Sequence, residues 1–240
     1  MNKLLTLIAA SSVLLAATAQ AADVSTTISG VSDYRFRGIS QSAGDPALQG
    51  SVDIEFENGF YSGIFASNID FGVDGDHEVD YYIGYYTDIT EDLGIDFSIN
   101  RYTYPGLDYS SDYNEMITKI FYGAFNIEIA YSDDYANTDE TGTYVAINYE
   151  KLIRENLGLL ENVTLTLHAG HSSGDYWDEY DIGSYSDYSI GVSADVKGFN
   201  VSLAYLFNDV DSEYEVDDGE FRNDDVLMLS VSKSFELGQF

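Results

Sequence analysis

The sequence predicts an all-β fold: one up-and-down antiparallel outer-membrane β-barrel of about twelve strands. Three observations carry this expectation. Segments of about ten residues alternate apolar and polar side chains, the pattern of strands with a different solvent on each face. The connections between those segments are alternately short and long. The first residues read as an export leader, which places the rest of the chain beyond the inner membrane.

The leader opens Met1-Asn2-Lys3, runs through an apolar stretch from Leu4 to Ala17 and reaches Ala19-Gln20-Ala21 before the first acidic residue, Asp23. Its apolar stretch is shorter than the roughly 20 residues a helix needs to span a bilayer. Small residues rather than a basic stop-transfer cluster follow it, so cleavage after Ala21 is expected. Residues 1–21 are then a signal peptide and residues 22–240 a single barrel domain.

The 240 residues contain no cysteine, two prolines, 21 glycines and 21 tyrosines, so disulfides cannot staple the fold. Forty-two acidic side chains face ten basic ones, a net charge of −32, and loss of Lys3 with the leader makes the remainder more negative still. No Lys/Arg cluster exists that could grip a phosphate backbone, which excludes nucleic acid as a partner. An aromatic content of 15% argues against disorder.

The strands follow in order along the chain. The first carries Val24, Thr26, Ile28 and Gly30 on one face. The second sets Leu48, Gly50, Val52, Ile54 and Phe56 against Ser51, Asp53 and Glu55. The third covers about 60–70, the fourth 78–88, and the fifth 93–104, where Leu93, Ile95, Phe97 and Ile99 oppose Asp96, Ser98 and Asn100. Segments 113–122, 124–132, 143–150 and 162–172 come next. The last three, 184–196, 199–208 and 225–237, have the cleanest apolar rows, such as Phe199, Val201, Leu203, Tyr205 and Phe207.

Short turns follow even-numbered strands, at Glu57-Asn58-Gly59, Thr90-Glu91-Asp92, Tyr122-Gly123 and Lys197-Gly198, with a longer connection at 151–161 as the exception. Long polar loops follow odd-numbered strands, at about 37–46, 71–78, 105–112, 133–142, 173–183 and 209–224. Bacterial outer-membrane barrels have this asymmetry, with short turns on the periplasmic side. A soluble β-sandwich also alternates. Against it stand the aromatic residues at strand ends (Tyr34, Phe36, Tyr81, Tyr82, Tyr85, Tyr86, Tyr102, Tyr104, Tyr144, Tyr149), expected to form interfacial girdles. The terminal Phe240 after a strand is similar to the signal read by the outer-membrane assembly machinery, although it is out of phase with Leu227, Leu229, Val231, Phe235 and Leu237.

Three blocks carry a family resemblance: Val31-Ser-Asp-Tyr-Arg-Phe-Arg-Gly-Ile-Ser-Gln-Ser42, then Pro46-Ala-Leu-Gln-Gly50, then Gly59-Phe-Tyr-Ser-Gly63, with Asp80-Tyr-Tyr-Ile-Gly84 continuing the likeness. The chain resembles the TorF-type porins, also grouped as Gcw_chp proteins of unknown function. The resemblance implies an outer-membrane barrel of undemonstrated substrate. It brings no catalytic or ligand residue.

If the apolar rows face lipid, the opposite rows face the lumen: Asp53, Glu55, Asp80, Asp96, Asn100, Glu115, Lys119, Glu128, His168 and Asp195. Rings of carboxylates concentrate cations and repel anions, so an open channel of this composition prefers cationic or neutral solutes. The competing reading pairs these carboxylates with Lys119, Arg35 and Arg37 in a filled lumen. Arg35 and Arg37, at i and i+2 beyond the first strand, are candidates for the basic side of an eyelet opposite Asp53 and Glu55. They could equally satisfy loop carboxylates or grip lipid phosphates.

The long loops are acidic, with Asp74, Asp76 and Glu78; Asp133, Asp134, Asp139 and Glu140; Asp175, Asp178, Glu179 and Asp181; and Asp209, Asp211, Glu213, Glu215, Asp217 and Asp218. Tyr214 stands where a calcium-binding loop needs glycine, which rules out an EF-hand. No cofactor is expected beyond weak Ca²⁺ or Mg²⁺ bridging to lipopolysaccharide at these loops. His171 and Ser173 form a His-x-Ser pair on an outward row, as in some outer-membrane phospholipases, yet Asn148 points the other way and the histidine lacks an orienting partner. The expectation is therefore a passive channel and not an enzyme, set against a lipid-acting barrel and a closed adhesin or scaffold. Its partners would be outer-membrane lipid, lipopolysaccharide, the assembly machinery and small solutes, and the residues fix no oligomeric state.

Overall fold

A computed structural model describes residues 21–211 and 213–239. Nearly all of the leader and Phe240, on which the export and assembly expectations rest, lie outside the described residues. Strand β1 (Ala22–Val31) is followed by a two-rung ribbon of β2 (Arg35–Phe36) and β3 (Ile39–Ser40), which lies apart from the main sheet. The main sheet continues through β4 (Ala47–Phe56), β5 (Phe60–Asn68), β6 (His77–Asp88), β7 (Leu93–Thr103), β8 (Tyr113–Tyr122) and β9 (Phe125–Ser132). It ends with β10 (Gly142–Leu157), β11 (Leu160–Ser173), β12 (Tyr185–Val196), β13 (Phe199–Asn208) and β14 (Val226–Gln239).

Consecutive strands pair antiparallel, and β1 pairs with both β4 and β14, so twelve strands close into a barrel. Around the closed wall each strand is paired on both sides, which is the condition for crossing hydrocarbon with strands. The registers put Ile28 opposite Gly50 and Val52 opposite Thr26, with the large apolar side chains of this row facing outward: Ile28 is 51% exposed, Ile64 47%, Ile83 58% and Leu227 61%. In a protein whose apolar rows point out and polar rows point in, lipid takes the place of the core.

The long loops all leave the same rim, between β1 and β4 and after β5, β7, β9, β11 and β13. One connection differs from expectation. Residues 151–161 are strand apart from the Gly158-Leu159 turn, because β10 and β11 run on past their neighbours to pair Leu157 with Leu160. Gly158, at φ 69°, supplies the left-handed residue that the tight reversal needs. Register slips at Leu152/Arg154 and at Glu161/Thr164 mask the period of two here.

The aromatic girdles are also composed differently. Tyr82, Tyr86, Tyr102 and Tyr144 stand on the inward row, while Tyr34 and Tyr104 belong to the loops and Phe36 to the β2–β3 ribbon. Of the expected set, Tyr81, Tyr85 and Tyr149 face outward, joined at the turn end by Phe60, whose ring lies 4.8 Å from Tyr85, and by Phe125, 5.0 Å from Tyr149. Adjacent tyrosines such as Tyr81-Tyr82 cannot share a face of a strand, so half of each pair turns inside.

Inward tyrosines lie flat over glycines of the next strand. Tyr61 is paired with Gly84 and Tyr82 with Gly63, and a Cβ added at Gly84 would meet the Tyr61 ring at 2.3 Å. Gly84→Ala should therefore lift Tyr61 from its hydrogen bond to Asp96 and destabilise the barrel by about 1–3 kcal/mol. Gly50→Ala, on the outward row with its nearest Cβ contact at 3.6 Å, should stay within about 0.5 kcal/mol of the parent. Denaturant unfolding in micelles, followed by the heat-modifiable gel shift, separates the two.

Candidate functional site

The inward row divides the lumen into two unlike walls. Strands β5 to β10 present tyrosines and carboxylates, including buried Asp80, Asp96 and Glu115. Strands β12 to β14 with β1 and β4 present small hydroxylated residues: Ser193, Ser202, Ser230, Ser232, Thr27, Ser29 and Ser51, all half-buried.

Above this, the segment from Ser32 to Pro46 folds inward as a plug. Arg37 (φ 50°) and Gly38 (φ 84°) make the tight reversal between β2 and β3, and a Cβ on Gly38 would meet Asp187 Cβ at 2.9 Å, so glycine is required where the plug abuts the wall. Asp33 organises its base. The carboxylate accepts from Arg35 Nε at 2.5 Å and from Ser40 Oγ at 2.5 Å, while Arg35 also donates to the Gly38, Arg222 and Asp224 carbonyls and to Asp224 Oδ1.

Arg37 reaches across to β8. Its two terminal nitrogens donate to the two oxygens of Glu115, each at 2.8 Å, and the guanidinium lies 4.6 Å from the Phe36 ring and 4.4 Å from the Tyr144 ring. Planar fork geometry, stacking and burial together suit arginine and not lysine. Tyr102 adds a hydrogen bond to Glu115 at 3.2 Å, and Tyr185 donates to the Arg37 carbonyl at 3.0 Å. An aromatic roof of Tyr113, Tyr135, Trp177 and Tyr185 closes over the pair, with Trp177 supplied by the five-residue helix α1 (Asp175–Glu179).

Beside Arg37 a cavity of about 200 Å³ is bounded by Arg35, Tyr144, His168, Asp187, Ser189 and Leu206 among others. Here His168 Nε2 lies 2.8 Å from Asp187 Oδ1 and Nδ1 2.6 Å from Asn148 Oδ1, while Tyr144 donates to Asp187 at 3.1 Å. Toward the short-turn end, Asp53 accepts from Tyr82 and from Ser51, Asp96 accepts from Tyr61 at 2.9 Å, and Lys119 Nζ lies 3.4 Å from Glu128.

The structure thus puts Asp53, Glu55, Asp96, Glu115, Lys119 and Glu128 on the inward row. Arg35 and Arg37 are not an eyelet facing Asp53 and Glu55, and they do not reach lipid. They sit in the inward plug, Arg35 with Asp33 and Asp224 and Arg37 with Glu115. Glu78, read as a loop residue, is in β6 and buried. The plug and the Tyr144–Asp187 contact escaped the sequence reading. Asp187 lay on the same inward parity as Asp195, which is the signal that could have found it. On the outward row, His171 Nδ1 meets Ser186 Oγ at 3.2 Å, and Asn148 faces inward to His168. Among the described residues no three of His, Cys, Asp and Glu gather as a metal centre.

With the geometry in hand, comparison with known proteins gives the family. A family model described as a bacterial protein of unknown function (Gcw_chp) matches residues 16–235. The chain belongs to the Gcw_chp family. No curated protein matches it. Among solved structures it is similar to the NanC porin (11% identity, TM-score 0.55, covering 87% of this chain and 97% of that one). It is also similar to the KdgM porin (8%, 0.52, 90% and 99%) and to KdgM in complex with disordered oligogalacturonate (8%, 0.51, 90% and 99%). At these identities the likeness is one of fold: porin-like twelve-stranded barrels.

Two predictions follow from this Gcw_chp barrel's plug. Arg37→Met or Glu115→Gln alone strands a buried partner and should cost about 3–5 kcal/mol, whereas the double change should cost less than either single one. Micellar unfolding of the four proteins measures the coupling, and simple additivity would contradict it. The second concerns Asp224. Partial burial pushes its carboxyl up, but hydrogen bonds from Arg222 and Arg35 outweigh that and hold it below the usual carboxylate range. A depressed carboxylate stabilises fully above its unfolded value of about 3.9 and loses that contribution as pH falls through the folded value. Amide exchange in residues 209–225 should therefore rise below about pH 4, and Asp224→Asn should show the fast exchange already at neutral pH.

Proposed function

We propose that this protein is a porin-like channel of a Gram-negative outer membrane that passes small hydrophilic solutes, cations and neutral molecules in preference to anions. One observation carries the reading: a closed barrel with apolar side chains outside and an inward row on which Asp53, Glu55, Asp96 and Glu128 outnumber Lys119. The outward belt is suited to lipid. The inward row is suited to water and hydrated solutes.

The arginines do not offset this charge, because Arg35 and Arg37 are consumed by Asp33, Asp224 and Glu115. A polyanion such as the oligogalacturonate in one of the similar porins would meet repulsion on such a row. Uncharged hydroxyl-rich solutes suit the other wall, where Ser202, Ser230, Ser232 and Thr27 offer both donors and acceptors.

Reversal potentials of the refolded chain in planar bilayers under a KCl gradient test the proposal. Potassium should be favoured over chloride, more strongly near 0.01 M salt, where the Debye length is about 30 Å, than at 1 M, where it is about 3 Å. Asp53→Asn with Glu55→Gln should reduce the preference. Anion selectivity, or no conductance from correctly folded barrels, would overturn the assignment.

A further inference from the structure

At one place in the lumen, charge is buried without a counter-charge. Glu78 and Asp80 stand at i and i+2 on β6, so both point inward, with Cα atoms about 6.6 Å apart along the strand. Glu78 is 3% exposed and Asp80 7%. Glu78 Oε2 and Asp80 Oδ1 have no hydrogen-bond partner among the described residues. No basic side chain among those residues forms an ion pair with either, since Arg35 is held by Asp33 and Asp224, Arg37 by Glu115, Arg101 by Asp112 and Lys119 by Glu128.

Their surroundings are aromatic and oxygen-bearing. Asp80 is flanked in the sheet by Phe65 and Tyr102, Tyr34 of the plug packs edge-on against Phe65 at 6.2 Å, and the hydroxyls of Tyr34 and Tyr104 face Glu78. Two carboxylates this close in such an enclosure repel each other and have lost most of their hydration, a combination relieved either by bound protons or by a bound cation.

We propose that Glu78 and Asp80 form a buried site for a divalent cation, calcium by preference. Two carboxylates balance one divalent ion. The available donors are all hard oxygens, the carboxylates first and then the phenols of Tyr34 and Tyr104 and the main chain, with no thiolate or imidazole to favour a softer metal. Calcium accepts irregular sets of protein oxygens, whereas magnesium demands an octahedron and keeps waters that the surrounding rings leave little room for. Because Tyr34 belongs to the plug and Glu78 to the wall, the bound ion fastens one to the other. The site is independent of permeation, and a failed conductance measurement leaves it standing.

The test uses the full chain refolded in micelles and stripped with a chelator. Calorimetry with CaCl₂ is run beside titration with Tb³⁺, whose emission nearby tyrosines sensitise. One saturable site with tyrosine-sensitised terbium emission, displaced by Ca²⁺ well before Mg²⁺, is expected. It should disappear in Glu78→Gln with Asp80→Asn and persist in Asp217→Asn with Asp218→Asn, a control for diffuse binding at the acidic loops. Absence of a saturable site in the parent protein, or its survival in the Glu78/Asp80 variant, would overturn the proposal and leave the pair neutralised by protons. Should the double variant fail to fold by gel shift, Asp80→Asn alone should weaken Ca²⁺ by about tenfold or more, affinity in oxygen sites following ligand charge. Unchanged affinity there would count equally against it.

Discussion

Everything in this molecule depends on β1 finding partners on both sides. With Ala22–Val31 bonded to β4 along one edge and to β14 along the other, no strand of the closed wall is left as an edge, and the ladder can sit in hydrocarbon. Closure also fixes what the side chains must do. Period-two alternation sends one row to lipid and the other to an interior from which bulk water is partly excluded, so polar side chains there must find one another. Tyr82 with Asp53, Tyr61 with Asp96 and Tyr144 with Asp187 are the outcome.

The interior is therefore a network of phenols and carboxylates and not a hydrophobic core. Phenols are apt for it because they give a flat apolar body to cover a neighbouring glycine and a terminal donor for a carboxylate. The plug completes the network at the loop end, where the planar, permanently charged guanidinium of Arg37 is buried against Glu115. Such a pair specifies position more than it adds stability, because the desolvation of two ions offsets most of their attraction. It sets where the plug rests.

Much of the wall was legible in the sequence. Rows such as Phe199, Val201, Leu203, Tyr205 and Phe207 mark the strands and which face of each is apolar, while the registers came from the structure. The hairpin at 151–161 was obscured because bulges break the period where the ribbon leaves the sheet. For Arg35 and Arg37 the sequence left an eyelet and pairing with carboxylates side by side, and pairing is what the structure has; the particular partners, Glu115 and Asp224, lie far along the chain, where no local pattern announces them. The tyrosine girdle misled through composition, since Tyr81-Tyr82 and Tyr85-Tyr86 look alike in sequence while their alternate members face opposite solvents. Family membership, being to a group of unknown function, left the chemistry to the residues.

The unequal walls of the lumen have a chemical consequence. A tyrosine hydroxyl is fixed at the end of a stiff ring, whereas a serine or threonine hydroxyl turns about a single bond. The arc from β5 to β10 therefore offers its hydrogen bonds at set places, and the arc through β12 to β14 and β1 can aim them in many directions.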